Sequence, residues 1–239
     1  SDQTLEICQD YAAHDDRIKI YTHEERLGEH RNKNFLANKA KSIYFKALDQ
    51  DDYLEGKKFL ENHCIRLDEG YDFVISNVLI EETNKVEGTV QKTEGSMDCF
   101  FNCKNKYDFA KATLEESAML VYGVFKTERY KKVSDRFISA TTGKKHFIDS
   151  YFVHDVSISL KGYYLSTERF VYSIHGANLS RSSPPKEFFP DFLFYINITL
   201  KLFIKTNKLT SLQKISLIMN FIFKKRIYAI FYYFYFSYI

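Results

Sequence analysis

The sequence predicts an α/β domain in which a mostly parallel sheet carries helices on both faces. Helical and extended patterns alternate through the first part of the chain, and such alternation is typical of parallel strands joined by crossover helices. The 239 residues include 45% hydrophobic and 27% charged residues. This ordinary globular usage excludes general disorder, collagen and coiled coils. The length suits one good-sized domain or two small ones.

The predicted elements begin with a helix. Leu5, Ile7 and Tyr11 have helical apolar spacing, and the Ser-Asp opening of the chain is suited to cap a helix. Alternating apolar residues then predict a strand at 17–21. The elements that follow are helices at 32–41 and 55–67 and strands at 43–48 and 71–78.

The middle of the chain is less regular. Residues 81–112 are polar and predict either a β-hairpin or an excursion over the surface. A polar stretch also reaches residue 145. The elements predicted around and after it are a short apolar run at 122–125, a helix at 149–161 and a strand near 168–174.

Prolines at positions 184, 185 and 190 mark a boundary. We therefore predict a domain over residues 1–183 and a basic, aromatic helical extension over residues 184–239. Charge divides in a similar way, because residues 201–239 hold seven Lys or Arg and no Asp or Glu, which leaves 27 basic against 31 acidic residues in 1–200. A mildly acidic body excludes a general nucleic-acid binder, which would have a basic face.

The four cysteines, at positions 8, 64, 99 and 103, lack the spacing of a disulfide framework. They are expected to be reduced thiols of a cytosolic protein. Cys99 and Cys103, with His63 and Cys64 upstream, allow a zinc site to be imagined. Zinc sites usually add a second compact pair of ligands, and the sequence has none.

Three carboxylates follow the strand predicted at 43–48, in the sequence Asp49-Gln50-Asp51-Asp52. The carboxyl ends of parallel strands form the edge at which α/β folds bind ligands. Mg²⁺ and Mn²⁺ take oxygen ligands, usually one or two carboxylates together with substrate phosphates. The cluster therefore predicts a metal site for a nucleoside diphosphate. The alternative is a solvated acidic turn that caps the next helix.

Residues 40–54 read AKSIYFKALDQDDYL and closely resemble the D-x-D region of family 2 glycosyltransferases. These are inverting enzymes of the GT-A fold that build bacterial surface polysaccharides. Residues 1–8 resemble the end of the family's nucleotide-binding loop, and residues 16–20 resemble its second strand. Gly28 and the residues after it resemble the loop and helix before the D-x-D. The resemblance spans about residues 1–183 and implies a GT-A-like, Rossmann-like domain.

Two later segments also match the family in order. Residues 146–152 resemble its late acidic motif, and residues 171–181 resemble a strand that ends in a Tyr-x-x-His-Gly-x-Asn turn. The resemblance implies that Asp149 is the catalytic base, whereas by itself this residue would be an ordinary helix cap. It also implies that His175 completes the diphosphate or metal environment.

The resemblance implies the remaining roles at the donor site. Asp51 and Asp49 are expected to hold Mn²⁺ or Mg²⁺ across the diphosphate, with the ribose as an alternative contact for Asp49. The donor-binding residues that it implies are Asp49, Asp51, Asp52, Arg31, His175 and Asp2. The family's apolar first strand and Asp-rich loop are absent from the sequence apart from Ser1 and Asp2. We therefore expect either a fragment of a longer protein or a degenerate copy.

The C-terminal segment predicts amphipathic helices. Polar residues recur every three or four positions through 212–224, and residues 227–239 contain eight aromatic residues in thirteen positions. No uninterrupted apolar run reaches about 18 residues, so a spanning helix is not expected. Basic and aromatic helices suit the face of an anionic membrane. The alternative is that these helices cover the sheet or form a dimer seam.

These patterns and the resemblance together predict a metal-dependent inverting glycosyltransferase in the bacterial cytoplasm, peripheral on the inner face of the cell membrane. Its expected partners are a nucleoside-diphosphate sugar, above all a UDP-sugar, and a glycan or polyprenyl-linked acceptor, with no nucleic acid. One rival is a catalytically inactive, membrane-associated interaction protein. The other is a GT-A-like nucleotidyltransferase, which would release pyrophosphate.

Overall fold

The computed structural model describes residues 3–84, 89–95, 97–115, 118–144, 148–174 and 188–237. The strands are β1 (Tyr44–Lys46), β2 (Tyr53–Glu55), β3 (Phe73–Asn84), β4 (Thr89–Gly95), β5 (Val124–Lys126) and β6 (Gly162–Ile174). The helices are α1 (Thr4–His14), α2 (Glu29–Lys39), α3 (Phe59–Asp68), α4 (Lys106–Ala112), α5 (Thr127–Ala140), α6 (Ile148–Ser159), α7 (Phe188–Lys205) and α8 (Ser211–Ser237). Short 3₁₀ turns lie at Asp98–Phe100 and Ala118–Tyr122.

The strands form a sheet in the order β1-β5-β3-β6-β2, with β4 paired to β3. β3 and β6 are parallel, and the other described pairs are antiparallel. The predicted α/β class is confirmed, with a mixed sheet in place of a mostly parallel one. The sheet is mixed because β5 runs against both of its neighbours and because β2 and β4 return along β6 and β3. β4 also supplies the hairpin that was one of the two predictions for residues 81–112.

Two segments differ from the sequence prediction. Residues 17–21 form no strand, because no described strand pairs with them, and Arg17 instead bonds to the Asp15 carboxylate through its backbone N–H and its guanidinium. The polar stretch before residue 145 contains α5, which buries Tyr130, Val133 and Phe137 at helical spacing. Charged residues between these positions conceal the helical period.

The described parts of α7 and α8 share a core with the rest of the protein. Tyr195, Phe203 and Phe221 are buried. The hydroxyl of Tyr195 lies 3.0 Å from Nε2 of His154 in α6, and the hydroxyl of Thr113 lies 3.0 Å from Nδ1 of the same ring. This packing agrees with a covering role for these helices. The predicted boundary at 183/184 falls outside the described residues.

Two buried histidines predict a loss of stability at acid pH. Burial lowers the pKa of His154 to about 3 and that of His63 to about 4. Below about pH 6.5 the unfolded chain takes up protons at these rings while the folded chain does not, so the free energy of unfolding falls as the pH drops towards 4. We expect each histidine to lower it by about 2 kcal/mol between pH 7 and pH 5.

Urea unfolding at pH 7 and pH 5 measures this effect. H154Q and H63Q should each lose less stability between the two pH values than the wild type. H14Q is the matched control, because the His14 side chain is 77% exposed, and it should keep the wild-type difference. The same pH dependence in H154Q, H63Q and H14Q would show that the buried rings do not cause it.

Candidate active site

A cleft lies where α2, α5 and α6 meet beside the loop that follows β1. Its lining includes Glu29, His30, Lys33, Tyr130, Phe137 and Asp149. We call residues 49–52, which follow β1, the acidic loop; it joins this cleft because Asp49 contacts Lys33. The cleft therefore combines the first turns of two helices with the carboxylates after a strand.

Gly28 starts the helix that forms one wall of the cleft. Its φ of 79° lies in the left-handed region that glycine adopts without strain. The chain turns there into α2, whose first turns present Glu29, His30 and Lys33 to the cleft. A side chain at position 28 would strain the turn that places these groups.

Lys33 joins α2 to the acidic loop. Its Nζ lies 2.6 Å from Oε1 of Glu29 and 2.8 Å from Oδ2 of Asp49. Burial opposes the charged form of Lys33, but the two carboxylates raise its pKa above the ordinary value. Lys33 therefore stays protonated and offsets the negative charge of the loop.

Asp149 lies in the first turn of α6 and faces α2. Its Oδ1 is 3.2 Å from Nε2 of His30, and 51% of its side-chain surface is open. The surrounding protein raises the pKa of Asp149 by desolvation, while His30 and Lys33 lower it and Glu29 and Asp49 raise it further. An accessible carboxylate with a raised pKa is suited to accept a proton from a bound hydroxyl group.

An ion pair to a buried carboxylate fixes the helix that carries Asp149. Arg136 of α5 donates to both carboxylate oxygens of Asp155 at 2.8 and 3.1 Å, and the hydroxyl of Ser159 donates to one of them at 2.7 Å. Asp155 is 1% exposed. Since a bidentate pair restricts both side chains, α6 is held against α5 close to the cleft.

Asp52 connects the acidic loop to β6. It is buried, and the backbone N–H of Ser173 in β6 donates to its Oδ1 at 3.0 Å. Its Oδ2 is buried with no hydrogen-bond partner among the described residues. Burial raises the pKa of Asp52 to about 6.

Lys46 is the last residue of β1 and lies close to the acidic loop. Its Nζ donates to the carbonyl oxygen of Tyr122 and lies 4.3 Å from the centroid of the Phe170 ring. Burial lowers the pKa of Lys46 to about 7, and the nearby Asp52 acts in the opposite direction. The loop therefore has a second amine close to its carboxylates.

The structure brings Asp49 and Asp149 into one charged network around Lys33, although the two carboxylates are distant in sequence. Asp51 is half-buried in the same turn as Asp49. Arg31 is exposed on α2 and is not among the residues that line the cleft. The predicted contacts at Asp2 and His175 lie outside the described residues.

Sequence reasoning missed three groups of this site, which are His30, Lys33 and Lys46. Glu29 and Lys33 have the i, i+4 spacing of a helical ion pair, which was a usable signal for Lys33. Lys46 lies within an otherwise apolar strand, where a cation is unusual. The role of His30 depends on α6, which only the fold brings near it.

The acidic loop has the donor chemistry that suits a divalent cation. Asp49 and Asp51 offer carboxylate oxygens, and Asp52 has a buried oxygen without a hydrogen-bond partner in the described chain. Within the described ranges no group of three or more His, Cys, Asp or Glu side chains is assembled for a metal. The loop therefore fits an ion that takes one or two carboxylates and completes its shell with substrate phosphates, as Mg²⁺ does.

The fold is that of a GT-A-like protein. The structure is similar to Staphylococcus aureus TarS 1–349 in complex with UDP-GlcNAc, with a TM-score of 0.65 and 15% identity over 94% of this chain and 60% of that chain. It is also similar to TarS 1–349 in complex with UDP, with a TM-score of 0.62, 16% identity and coverage of 93% and 58%. The similarity to a further TarS structure gives a TM-score of 0.64 and 15% identity, over 93% of this chain and 35% of that chain. The chain thus spans about 60% or less of the TarS chains that it matches.

The sequence profile of glycosyl transferase family 2 matches residues 1–137. That match covers more than half of the chain, so the protein belongs to glycosyl transferase family 2. The resemblance seen in the acidic loop is confirmed. No match was found among curated proteins.

Proposed function

We propose that the protein transfers one sugar from a nucleoside-diphosphate sugar to an acceptor hydroxyl group with inversion, in the biosynthesis of a bacterial cell-surface polysaccharide. The observation that carries this proposal is the cleft that Asp149 and Lys33 share, because Lys33 also contacts Asp49 of the acidic loop. A UDP-sugar is the preferred donor, because the similar TarS structures contain UDP-GlcNAc and UDP.

The reaction is a single displacement. The acceptor oxygen forms a bond to the anomeric carbon while the bond from that carbon to the diphosphate oxygen breaks. The electron pair of the broken bond leaves with the nucleoside diphosphate. The acceptor proton passes to the Asp149 carboxylate, which acts as general base. Attack opposite to the leaving group inverts the anomeric centre.

The protein supplies charge at the leaving group as well as a base. Lys33 keeps its proton beside Asp49 and counters the negative charge that the donor brings. Asp51 and Asp49 would hold Mg²⁺ or Mn²⁺, and Lys33 contacts Asp49 through one oxygen, Oδ2. Such an ion, when bound, neutralises charge on the diphosphate as a Lewis acid.

Hydrolysis of nucleotide sugars without an acceptor tests the proposal, since water can replace the acceptor hydroxyl. UDP-GlcNAc, UDP-glucose, UDP-galactose and GDP-mannose are each incubated with Mg²⁺, with Mn²⁺ and with EDTA. We expect release of the nucleoside diphosphate from one of them, with loss of activity in EDTA. In a parallel incubation with UTP and a sugar 1-phosphate, release of pyrophosphate would instead indicate a nucleotidyltransferase. Binding of a nucleotide sugar without turnover by the wild type would favour the inactive interaction protein.

We also propose that α8 binds the inner face of the bacterial membrane, where a glycan or polyprenyl-linked acceptor would be held. Leu212, Ile215, Met219, Ile222 and Phe223 are exposed and fall on one side of the helix. The neighbouring α7 exposes lysines at positions 201 and 205. An apolar face beside cations suits anionic lipid. No helix in the described chain has the length and apolar character to cross a bilayer.

Sedimentation with vesicles tests this membrane contact. The wild type should bind vesicles of mixed phosphatidylglycerol and phosphatidylcholine, and should bind more weakly at high salt and with phosphatidylcholine alone. M219D/F223D should bind roughly tenfold more weakly or worse, because it places two charges on the apolar face. I43D is the control, since Ile43 is 75% exposed and lies directly before β1. Equal binding by M219D/F223D and I43D would contradict the assignment of this face.

A further inference from the structure

His30 lies between α2 and α6 inside the cleft and has no role in the mechanism above. Its Nε2 is 3.2 Å from Oδ1 of Asp149, and its side chain is 23% exposed. On the other side its ring meets the Phe137 ring edge-on, with the centroids 4.9 Å apart. The imidazole is therefore held by an aromatic ring while it faces a carboxylate.

We propose that His30 is a positioning residue that fixes the carboxylate of Asp149 in the orientation from which it takes the proton of the acceptor. The proposal rests on the proposed function, in which Asp149 is the base. Half of the Asp149 side chain is open, so its carboxylate would otherwise rotate among several orientations. His30 contacts Oδ1, and Oδ2 is then the oxygen directed to the acceptor. Fixed orientation of a reacting group is a large part of catalytic efficiency.

Other charged and titratable groups also face Asp149. They are Glu29 and Lys33 of α2, Asp49 of the acidic loop, Tyr130 of α5 and Tyr122 before β5. Lys33 is already bound by Glu29 and Asp49 at 2.6 and 2.8 Å, so it acts on Asp149 from a greater distance. The short contact to the base comes from His30.

The proposal adds no proton transfer of its own. The acceptor proton moves to Oδ2 of Asp149 as the acceptor oxygen bonds to the anomeric carbon. The diphosphate departs with the electron pair of the broken bond. His30 neither gives nor takes a proton in this step, so its contribution is to the orientation of the Asp149 carboxylate.

An NMR titration of carboxyl carbons tests the effect of His30 on Asp149 and does not require turnover. The protein is labelled with ¹³C at the aspartate carboxyl carbon, and the Asp149 signal is identified by its loss in D149N. In H30A we expect the pKa of Asp149 to rise by about one unit, because an opposing charge or donor beside a carboxylate lowers its pKa. H30Q keeps an amide donor and should shift the pKa less. H14A is the matched control, because His14 also lies near a carboxylate, that of Asp10 at 3.9 Å, but on exposed α1.

Kinetics supply the second readout. For hydrolysis of UDP-GlcNAc, H30A should lower kcat about tenfold with little change in KM, and its acid limb should move to higher pH together with the Asp149 pKa. H30Q should recover most of the lost kcat. A purely structural role for His30 would leave the acid limb where it is in the wild type.

The outcomes distinguish the positioning role of His30 from the catalytic role of Asp149 in the proposed function. An Asp149 pKa that is the same in wild type and H30A overturns the positioning role, whatever the activity of D149N. Loss of kcat in H30A that H30Q does not recover, with an unmoved acid limb, overturns it as well. Wild-type activity in D149N overturns the proposed function, and with it the catalytic meaning of the contact.

Discussion

Asp149→Asn is expected to lower nucleotide-sugar turnover by about 10²–10⁴-fold, the range over which general bases contribute. Asparagine keeps the shape of aspartate but cannot take the acceptor proton. The fold should survive, because α6 is held by the Asp155 and Arg136 pair and by buried apolar side chains. Release of nucleoside diphosphate from UDP-GlcNAc measures the loss, and circular dichroism at rising temperature checks the fold.

Asp10→Asn is the matched control for this variant. The Asp10 side chain is 77% exposed on α1, so removal of its charge should leave turnover within about twofold of the wild type. D149N with the same turnover as D10N would show that another group is the base. Binding of UDP, followed by isothermal titration calorimetry, should be similar in both variants, since Asp149 acts on the acceptor side.

Asp51→Ala is expected to have the second large effect, a fall in turnover of about 10²-fold or more. Asp51 is the proposed ligand of Mg²⁺ or Mn²⁺, and a metal at the leaving group contributes several kcal/mol to transition-state stabilisation. Asp49 is already paired with Lys33, so it replaces Asp51 poorly. In D51A the metal concentration for half-maximal activity should rise, and excess Mn²⁺ should restore part of the rate.

D51A can be distinguished from D149N by its response to metal. Excess metal should not restore D149N, because its defect is in proton removal. The control for the loop is Glu61→Ala, which removes an exposed carboxylate on α3 and should keep the wild-type metal dependence. Wild-type turnover and metal dependence in D51A would contradict the metal role of Asp51.

The acidic loop and the proposed base could be predicted from the sequence because each lies in a short contiguous motif. Asp49 and Asp51 follow β1 directly, as predicted, and Asp149 begins α6. Periodicity alone indicated only a strand end and a helix start. The resemblance to family 2 glycosyltransferases implied a function for these positions. The fold then placed Asp149 in the cleft and Asp49 on Lys33, which lines the same cleft.

The rest of the site depends on contacts between distant segments. His30 meets Asp149, and Lys46 meets the Tyr122 carbonyl, only because α2, β1 and the chain before β5 converge in space. A local sequence pattern does not predict which helix will face a given histidine. The strand expected at 17–21 failed for a related reason, since a strand requires a neighbour and no described strand pairs with these residues.

The C-terminal helices also have contacts that a local sequence pattern does not predict. Their apolar pattern predicted an apolar face but not what would cover it. Tyr195, Phe203 and Phe221 are buried in the core, while Met219 and Phe223 remain exposed on α8. One side of this amphipathic segment is thus buried by the described chain, and the other side is exposed.

The central claim, inverting sugar transfer from the cleft, is tested most directly by the anomeric form of the released sugar. UDP-GlcNAc is α-linked, so ¹H NMR of its Mg²⁺-dependent hydrolysis should show the β anomer of GlcNAc first, together with UDP, before the two anomers equilibrate. D149N should show neither product on the same timescale. Initial release of the α anomer would contradict inversion. The absence of both turnover and binding across the donor panel, or release of pyrophosphate from UTP and a sugar 1-phosphate in a parallel incubation, would contradict sugar transfer itself.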